Sequence, residues 1–140
     1  MESATLTKTV PGKTVFVVED SVQVRGRLIN WLETIKGVAV VGEAGTPVDA
    51  VIGLLRTQPD YVVLDFQLEG GTGADVLRAV RAQMPDTLFL VLTNHAEPQF
   101  QRVCTEAGAD AFFDKSSDLA KVKELIARGQ RRNQNEGNRS

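Results

Sequence analysis

Three carboxylates, one hydroxyl and one amine close short apolar runs in this sequence, and together they make a set that can handle a phosphoryl group. The run YVVLD ends on Asp65 and is followed by the glycine-rich FQLEGGTG. TVFVVED ends on Glu19 and Asp20, TLFLVLT on Thr93, and AFFDK passes through Asp114 into Lys115. A lone Asp after an apolar run is commonly a turn or capping residue, so Asp65 gains meaning only from its company. If these run ends meet in one crevice, each pair of carboxylates repels by about 4 kcal/mol at ~4 Å and an effective dielectric of ~20. Protonation or a bound cation must relieve that repulsion. Hard oxygen donors that leave places for water and phosphate suit Mg²⁺ or Mn²⁺. An ammonium adds a second positive charge, and a hydroxyl serves an oxygen that would otherwise lack a donor. Phosphoryl transfer is mostly positioning and charge neutralisation, and an Asp carboxylate can be its nucleophile. Asp65, on the middle run, is the candidate acceptor.

The elements that must position these residues follow from the pattern between them. Five short runs rich in Val, Leu and Phe, at 14–19, 38–43, 61–65, 87–93 and 111–114, read as parallel strands buried on both faces. Apolar residues at three- and four-residue spacing separate them: Val24, Leu28, Leu32 and Ile35; Val48, Val51, Ile52 and Leu55; Val76, Leu77, Val80 and Met84; Phe100, Val103 and Cys104; Leu119, Val122, Leu125 and Ile126. Each set is read as the buried stripe of a helix. Pro47, Pro59, Pro85 and Pro98 fall at element boundaries, and Gly108 marks a helix stop. The expected fold is α/β, a (βα)5 doubly wound five-stranded parallel sheet. In such a sheet ligands bind beyond the carboxyl ends of the strands, where the chemical residues of this sequence accumulate. Residues 1–13 and 131–140 are polar and are expected to be flexible, leaving 14–130 as the folded domain with no second domain after it.

Composition narrows the function. A chain of 140 residues, 42% of them hydrophobic, can bury roughly two-thirds of its unfolded surface in one core. A net charge of −2 lacks the basic face that nucleic-acid binders carry, so no direct nucleic-acid partner is expected. The single cysteine, Cys104, cannot form an internal disulfide, and no run is of membrane-spanning length. A cytoplasmic location without membrane attachment is the expectation.

The motifs VVED at 17–20, VVLDFQLEGGTG at 62–73, LVLT at 90–93 and GADAFFDKS at 108–116 stand in one order. They separate Asp20, Asp65, Thr93 and Lys115 by 45, 28 and 22 residues. In this the chain, from about 14 to 130, resembles a two-component response-regulator receiver domain of the CheY-like superfamily, with strand order 2-1-3-4-5 and of the stand-alone type. The resemblance implies that Asp65 accepts a phosphoryl group from a histidine kinase or phosphotransfer protein, catalysing its own phosphorylation and a slow autodephosphorylation. It implies a metal site made of Asp20, Asp65 and the backbone carbonyl of Gln67, with Glu19 acting through water. It also implies that Lys115 and Thr93 hold phosphoryl oxygens, and that Phe112 is a switch aromatic. The output is then an effector docking on the face of the fourth helix, fifth strand and fifth helix, a phosphorylation-dependent homodimer through the same face, or onward phosphotransfer.

Four positions depart from the family's usual residues or tune its chemistry. Glu69 stands where Pro is frequent, Asn94 where Ala or Gly is frequent, and both are expected to restrict access to the phosphoryl group. Gln67 and His95 occupy positions that tune acyl-phosphate hydrolysis. One rival is a Mg²⁺-dependent phosphatase of the haloacid-dehalogenase kind, which would need an acid two residues after the nucleophile, where this sequence has Gln67. Another is a receiver fold used as an interaction module without phosphorylation. Flavin binding is disfavoured by the acidic first turn, Glu19-Asp20-Ser21, which repels phosphate.

Overall fold

The computed structural model describes residues 13–129; the segments expected to be flexible, apart from Lys13, lie outside them. Five strands form one parallel sheet: β1 (Thr14–Val18), β2 (Ala39–Ala44), β3 (Tyr61–Leu64), β4 (Leu88–Thr93) and β5 (Ala111–Asp114). Their order across the sheet is β2-β1-β3-β4-β5, as expected. Five helices alternate with them: α1 (Val22–Leu32), α2 (Pro47–Thr57), α3 (Gly73–Val80), α4 (Pro98–Ala107) and α5 (Leu119–Ala127). A two-residue antiparallel ladder between Gln67–Leu68 and Gly71–Thr72 shapes the turn after β3.

Local chemistry sets the helix starts. The hydroxyls of Ser21, Thr46 and Thr72 accept from the backbone N–H of Val24, Asp49 and Asp75, satisfying donors that a helix leaves bare at its first turn. At α3 the Asp75 carboxylate reaches back to the Thr72 N–H and completes a capping box. Pro47 and Pro98 open α2 and α4, and Gly108, at φ 115°, closes α4.

The apolar side chains divide by strand alternation. Phe16, Val18, Val62, Leu64, Phe89 and Val91 point to the side covered by α2, α3 and α4. Val15, Val17, Tyr61, Val63, Leu90 and Leu92 point to the side of α1 and α5. Phe112 packs on the first side and Phe113 on the second. Cys104 is fully buried, a core residue.

The expected stripes need three corrections. Ile35 and Met84 are buried, but beyond the ends of α1 and α3. Leu119 at the start of α5 is exposed. In α2 only Val51 of the expected stripe packs against the core: Ala50 and Leu54 are the buried residues, while Val48, Ile52 and Leu55 face solvent. Periodicity alone cannot choose between two apolar faces of one helix, and Gly53 is what lets α2 lie close against β1, since a Cβ there would meet the Phe16 ring at 2.6 Å.

Candidate phosphoryl-acceptor site

The final hydrogen bonds of the sheet carry the chemical residues one step past the strands. Glu19 N–H donates to the Ala44 carbonyl (2.9 Å), Asp65 N–H to the Val18 carbonyl (3.0 Å) and Lys115 N–H to the Thr93 carbonyl (2.9 Å). Each backbone is therefore fixed by its neighbour strand while its side chain leaves the ladder into the crevice between the loops.

Glu19, Asp65 and Lys115 meet there. The Lys115 ammonium donates to Glu19 Oε1 and, at 3.2 Å, to Asp65 Oδ2. Glu19 is 3% exposed, and its Oε2 accepts from the Ser21 N–H at 3.1 Å. Burial holds the Glu19 carboxyl above its ordinary pKa, and Lys115 and the Ser21 N–H offset only part of that rise. Burial by itself would lower the Lys115 ammonium, yet the two carboxylates hold it above its ordinary value. Asp65 Oδ1 is buried and has no hydrogen-bond partner among the described residues. A buried acceptor without a donor is costly, so this oxygen is poised to take a hard cation or an electrophile.

Thr93 is fully buried at the end of β4. Its hydroxyl oxygen accepts from the His95 N–H at 3.1 Å, which leaves the hydroxyl proton free to be donated elsewhere. Lys115 is held by a tight turn: Asp114 Oδ1 accepts from the N–H and hydroxyl of Ser116 at 2.8 and 2.6 Å, and Asp118 Oδ2 accepts from the Asp114 N–H at 2.9 Å. Those bonds keep the Asp114 and Asp118 carboxyls below their ordinary pKa values, Asp114 chiefly through the Ser116 hydroxyl and Asp118 chiefly through the Asp114 N–H.

Asp20, Gln67, Glu69 and Asn94 are exposed around this crevice, and His95 is half-buried with its ring edge toward Phe100. Among the described residues no group of three or more His, Cys, Asp or Glu is arranged to hold a metal. Lys115 takes the place between Glu19 and Asp65, and Asp20 stands at the rim.

Two residues of the site escape sequence reading. Arg25 Nη1 donates to the Glu19 carbonyl at 2.6 Å while its Nε pairs with Glu43 at 2.8 Å, tying the acidic loop to β2. Gly73 lets α3 start directly beneath the acceptor: its N–H donates to the Phe66 carbonyl at 2.7 Å, and a Cβ there would lie 2.4 Å from the Asp65 carbonyl oxygen. The GTG of the motif was visible, but its contact with the Asp65 backbone needs the fold. Among the described residues no helix is long and apolar enough to cross a membrane.

The family model of the response regulator receiver domain matches residues 15–127. The DNA-binding transcriptional activator DevR/DosR of Mycobacterium tuberculosis is 31% identical over 118 residues, covering 82% of this chain and 54% of that protein. The response regulator UvrY of Escherichia coli is 32% identical over 112 residues, covering 80% of this chain and 51% of that protein. The chain thus spans about half the length of these curated relatives. The crystal structure of a LuxR-family two-component response regulator from Aurantimonas sp. SI85-9A1 superposes with a TM-score of 0.78 at 32% identity, over 86% of this chain and 88% of that one.

Proposed function

Because this chain belongs to the response regulator receiver domain family, we propose that Asp65 is its phosphoacceptor and that phosphorylation there sets the state its partners read. The observation that carries the assignment is the buried, unpartnered Asp65 Oδ1, with the other oxygen of the same carboxylate held by Lys115. A carboxylate fixed through one oxygen presents the other in a defined direction, and such positioning is worth several powers of ten in rate.

In this reading Oδ1 attacks the phosphorus of a phosphohistidine on a histidine kinase or phosphotransfer protein. An O–P bond forms as the N–P bond breaks, and the departing imidazole nitrogen takes up a proton. Lys115, already charged beside Asp65, moves onto a phosphoryl oxygen. The Thr93 hydroxyl, whose proton is uncommitted, donates to another. An all-oxygen donor set suits Mg²⁺ or Mn²⁺: the Asp20 and Asp65 carboxylates and the Gln67 carbonyl would hold the ion, with Glu19 acting through water, once Lys115 has left the place between Glu19 and Asp65, and the ion would neutralise phosphoryl charge. Movement of Thr93 toward Asp65 frees space beside Phe112, which is half-buried against the core on the α4 side. The face of α4, β5 and α5 then changes shape and is read by an effector, by a second copy, or by the next phosphotransfer protein. Shifting such a two-state equilibrium from 1:99 to 99:1 takes about 5.5 kcal/mol of differential interaction. The receiver segment itself makes no nucleic-acid contact in this reading; the DNA binding in the name of the M. tuberculosis relative belongs to that longer protein.

Intact mass spectrometry after incubation with acetyl phosphate tests the proposal. One labile phosphoryl adduct is expected with Mg²⁺, none with chelator, and none in Asp65→Asn. An adduct that survives in Asp65→Asn would assign the acceptor elsewhere.

A further inference from the structure

Helix α2 is apolar on two faces, and the fold uses only one. Ala50 and Leu54 are fully buried against the sheet, yet Val48, Ile52 and Leu55 are 68%, 53% and 38% exposed. These three follow at spacings of four and three residues and form one continuous stripe. Val41, on the adjoining edge strand β2, is 39% exposed. Turning about 100° per residue, Leu55, Val48, Ile52, Arg56 and Asp49 succeed one another over an arc of about 120°. The apolar stripe is therefore flanked on one side by a row of two opposite charges. Asp49 lies in the first turn and Arg56 in the last. Both are exposed, and neither enters an ion pair among the described residues.

We propose that this face of α2 is a self-association surface, on which a second copy of the chain packs its own α2 antiparallel about a two-fold axis at Ile52. The charge row selects that partner and that direction. A two-fold axis normal to the plane of the two helices keeps the charged flanks on the same side of the pair. Asp49 then meets the partner's Arg56 and Arg56 meets the partner's Asp49, while Val48 lies against the partner's Leu55 and Ile52 against its own mate. Parallel pairing would instead lose these matches. A self-complementary patch of this kind closes a dimer and cannot propagate a filament. The surface lies on the β2 edge of the sheet, away from α4, β5 and α5, so the association does not need Asp65 to be phosphorylated. Three apolar and two charged side chains per copy cover less than the ~800 Å² per partner of a standard interface, so the dimer is weak, with Kd on the order of 100 µM.

Sedimentation velocity on the full unphosphorylated chain from about 10 µM to 1 mM tests this, with Asp65→Asn run in parallel to remove any contribution from phosphorylation. A concentration-dependent monomer–dimer equilibrium is expected for both. Ile52→Glu, which buries two like charges at the axis, should leave only monomer. Asp49→Arg and Arg56→Asp should each weaken association about tenfold, since the contact between Asp49 and Arg56 occurs twice across the axis. The double exchange Asp49→Arg with Arg56→Asp should restore it. All these positions are exposed, and circular dichroism checks that each variant keeps its fold. Monomer throughout the range would overturn the proposal and leave the stripe to a different protein. A dimer that ignores the charge exchange would overturn it too, because the pairing would then not be through α2 in this direction.

Discussion

The two ends of the sheet hold the same kinds of side chain in opposite conditions. At the amino ends of the strands, Asp60 accepts from the N–H and hydroxyl of Thr14 at 3.0 and 2.7 Å, and Asp110 accepts from the Phe89 N–H at 2.8 Å and from Arg81 at 3.0 Å. Arg81 also donates to the carbonyls of Gly108, Met84 and Thr87 and lies over the Phe89 ring. At the carboxyl ends, two carboxylates share one ammonium and Asp65 Oδ1 has no partner. Polar groups at the first end are spent on stability; those at the second are left available for a reaction. That difference supports placing the proposed site at the carboxyl ends.

Replacing one residue at each end of the sheet should have the largest effects. Asp65→Asn should abolish phosphorylation while leaving thermal stability equal to or above that of the wild type, because it removes a charge that repels Glu19. Arg81→Ala should do the reverse, lowering stability by about 3 kcal/mol because Asp110 and three carbonyls lose their donor, with phosphorylation retained at temperatures where the chain is folded. Urea unfolding paired with the acetyl-phosphate assay reads both. Loss of phosphorylation in folded Arg81→Ala would show that the two ends are not separable.

A glycine at each end gives a smaller test. Gly108 sits at φ 115°, and a Cβ there would meet Arg81 Cδ at 2.6 Å. Gly108→Ala should therefore cost about 2 kcal/mol with little change in phosphorylation rate. Gly73→Ala, pressing on the Asp65 carbonyl, should cost about as much by forcing a backbone shift. It should also slow phosphorylation by about tenfold or more through displacement of the acceptor. Equal effects on rate from the two substitutions would contradict the division.

The smallest effect is in pH. The folded-state pKa of Lys115 lies above its ordinary 10.5, so its contribution to stability is complete below that pH and is lost as pH rises through the folded value. Arg81 does not titrate in that range. Between pH 9 and pH 12 the melting temperature of the wild type should thus fall more than that of Lys115→Met. Parallel curves would mean that the ammonium contributes nothing to the folded state.

Much of this was legible in the sequence, for a physical reason. Parallel strands buried on both faces must read as apolar runs, and a charged residue that ends such a run has to lie at the sheet's edge. Glu19, Asp65 and Lys115 were read from runs that end on or just before a charge, and Thr93 from a run that ends on a hydroxyl. The exposed stripe of α2 was misread because three- and four-residue spacing reports a face without saying what covers it. Arg25 and Arg81 were missed because their partners lie on other elements, Glu43 on β2 and Asp110 before β5, at separations that no local pattern encodes.

In the proposed reaction the free oxygen of Asp65, and no other carboxylate of the crowded crevice, becomes the acyl phosphate. Borohydride reduction of the phosphorylated chain followed by peptide mapping converts the acylated aspartate to homoserine and tests this directly. Homoserine at position 65 alone is the predicted result. Reduction at Asp20, Asp114 or Glu19, or at none of them in a chain carrying the phosphoryl mass, would contradict it.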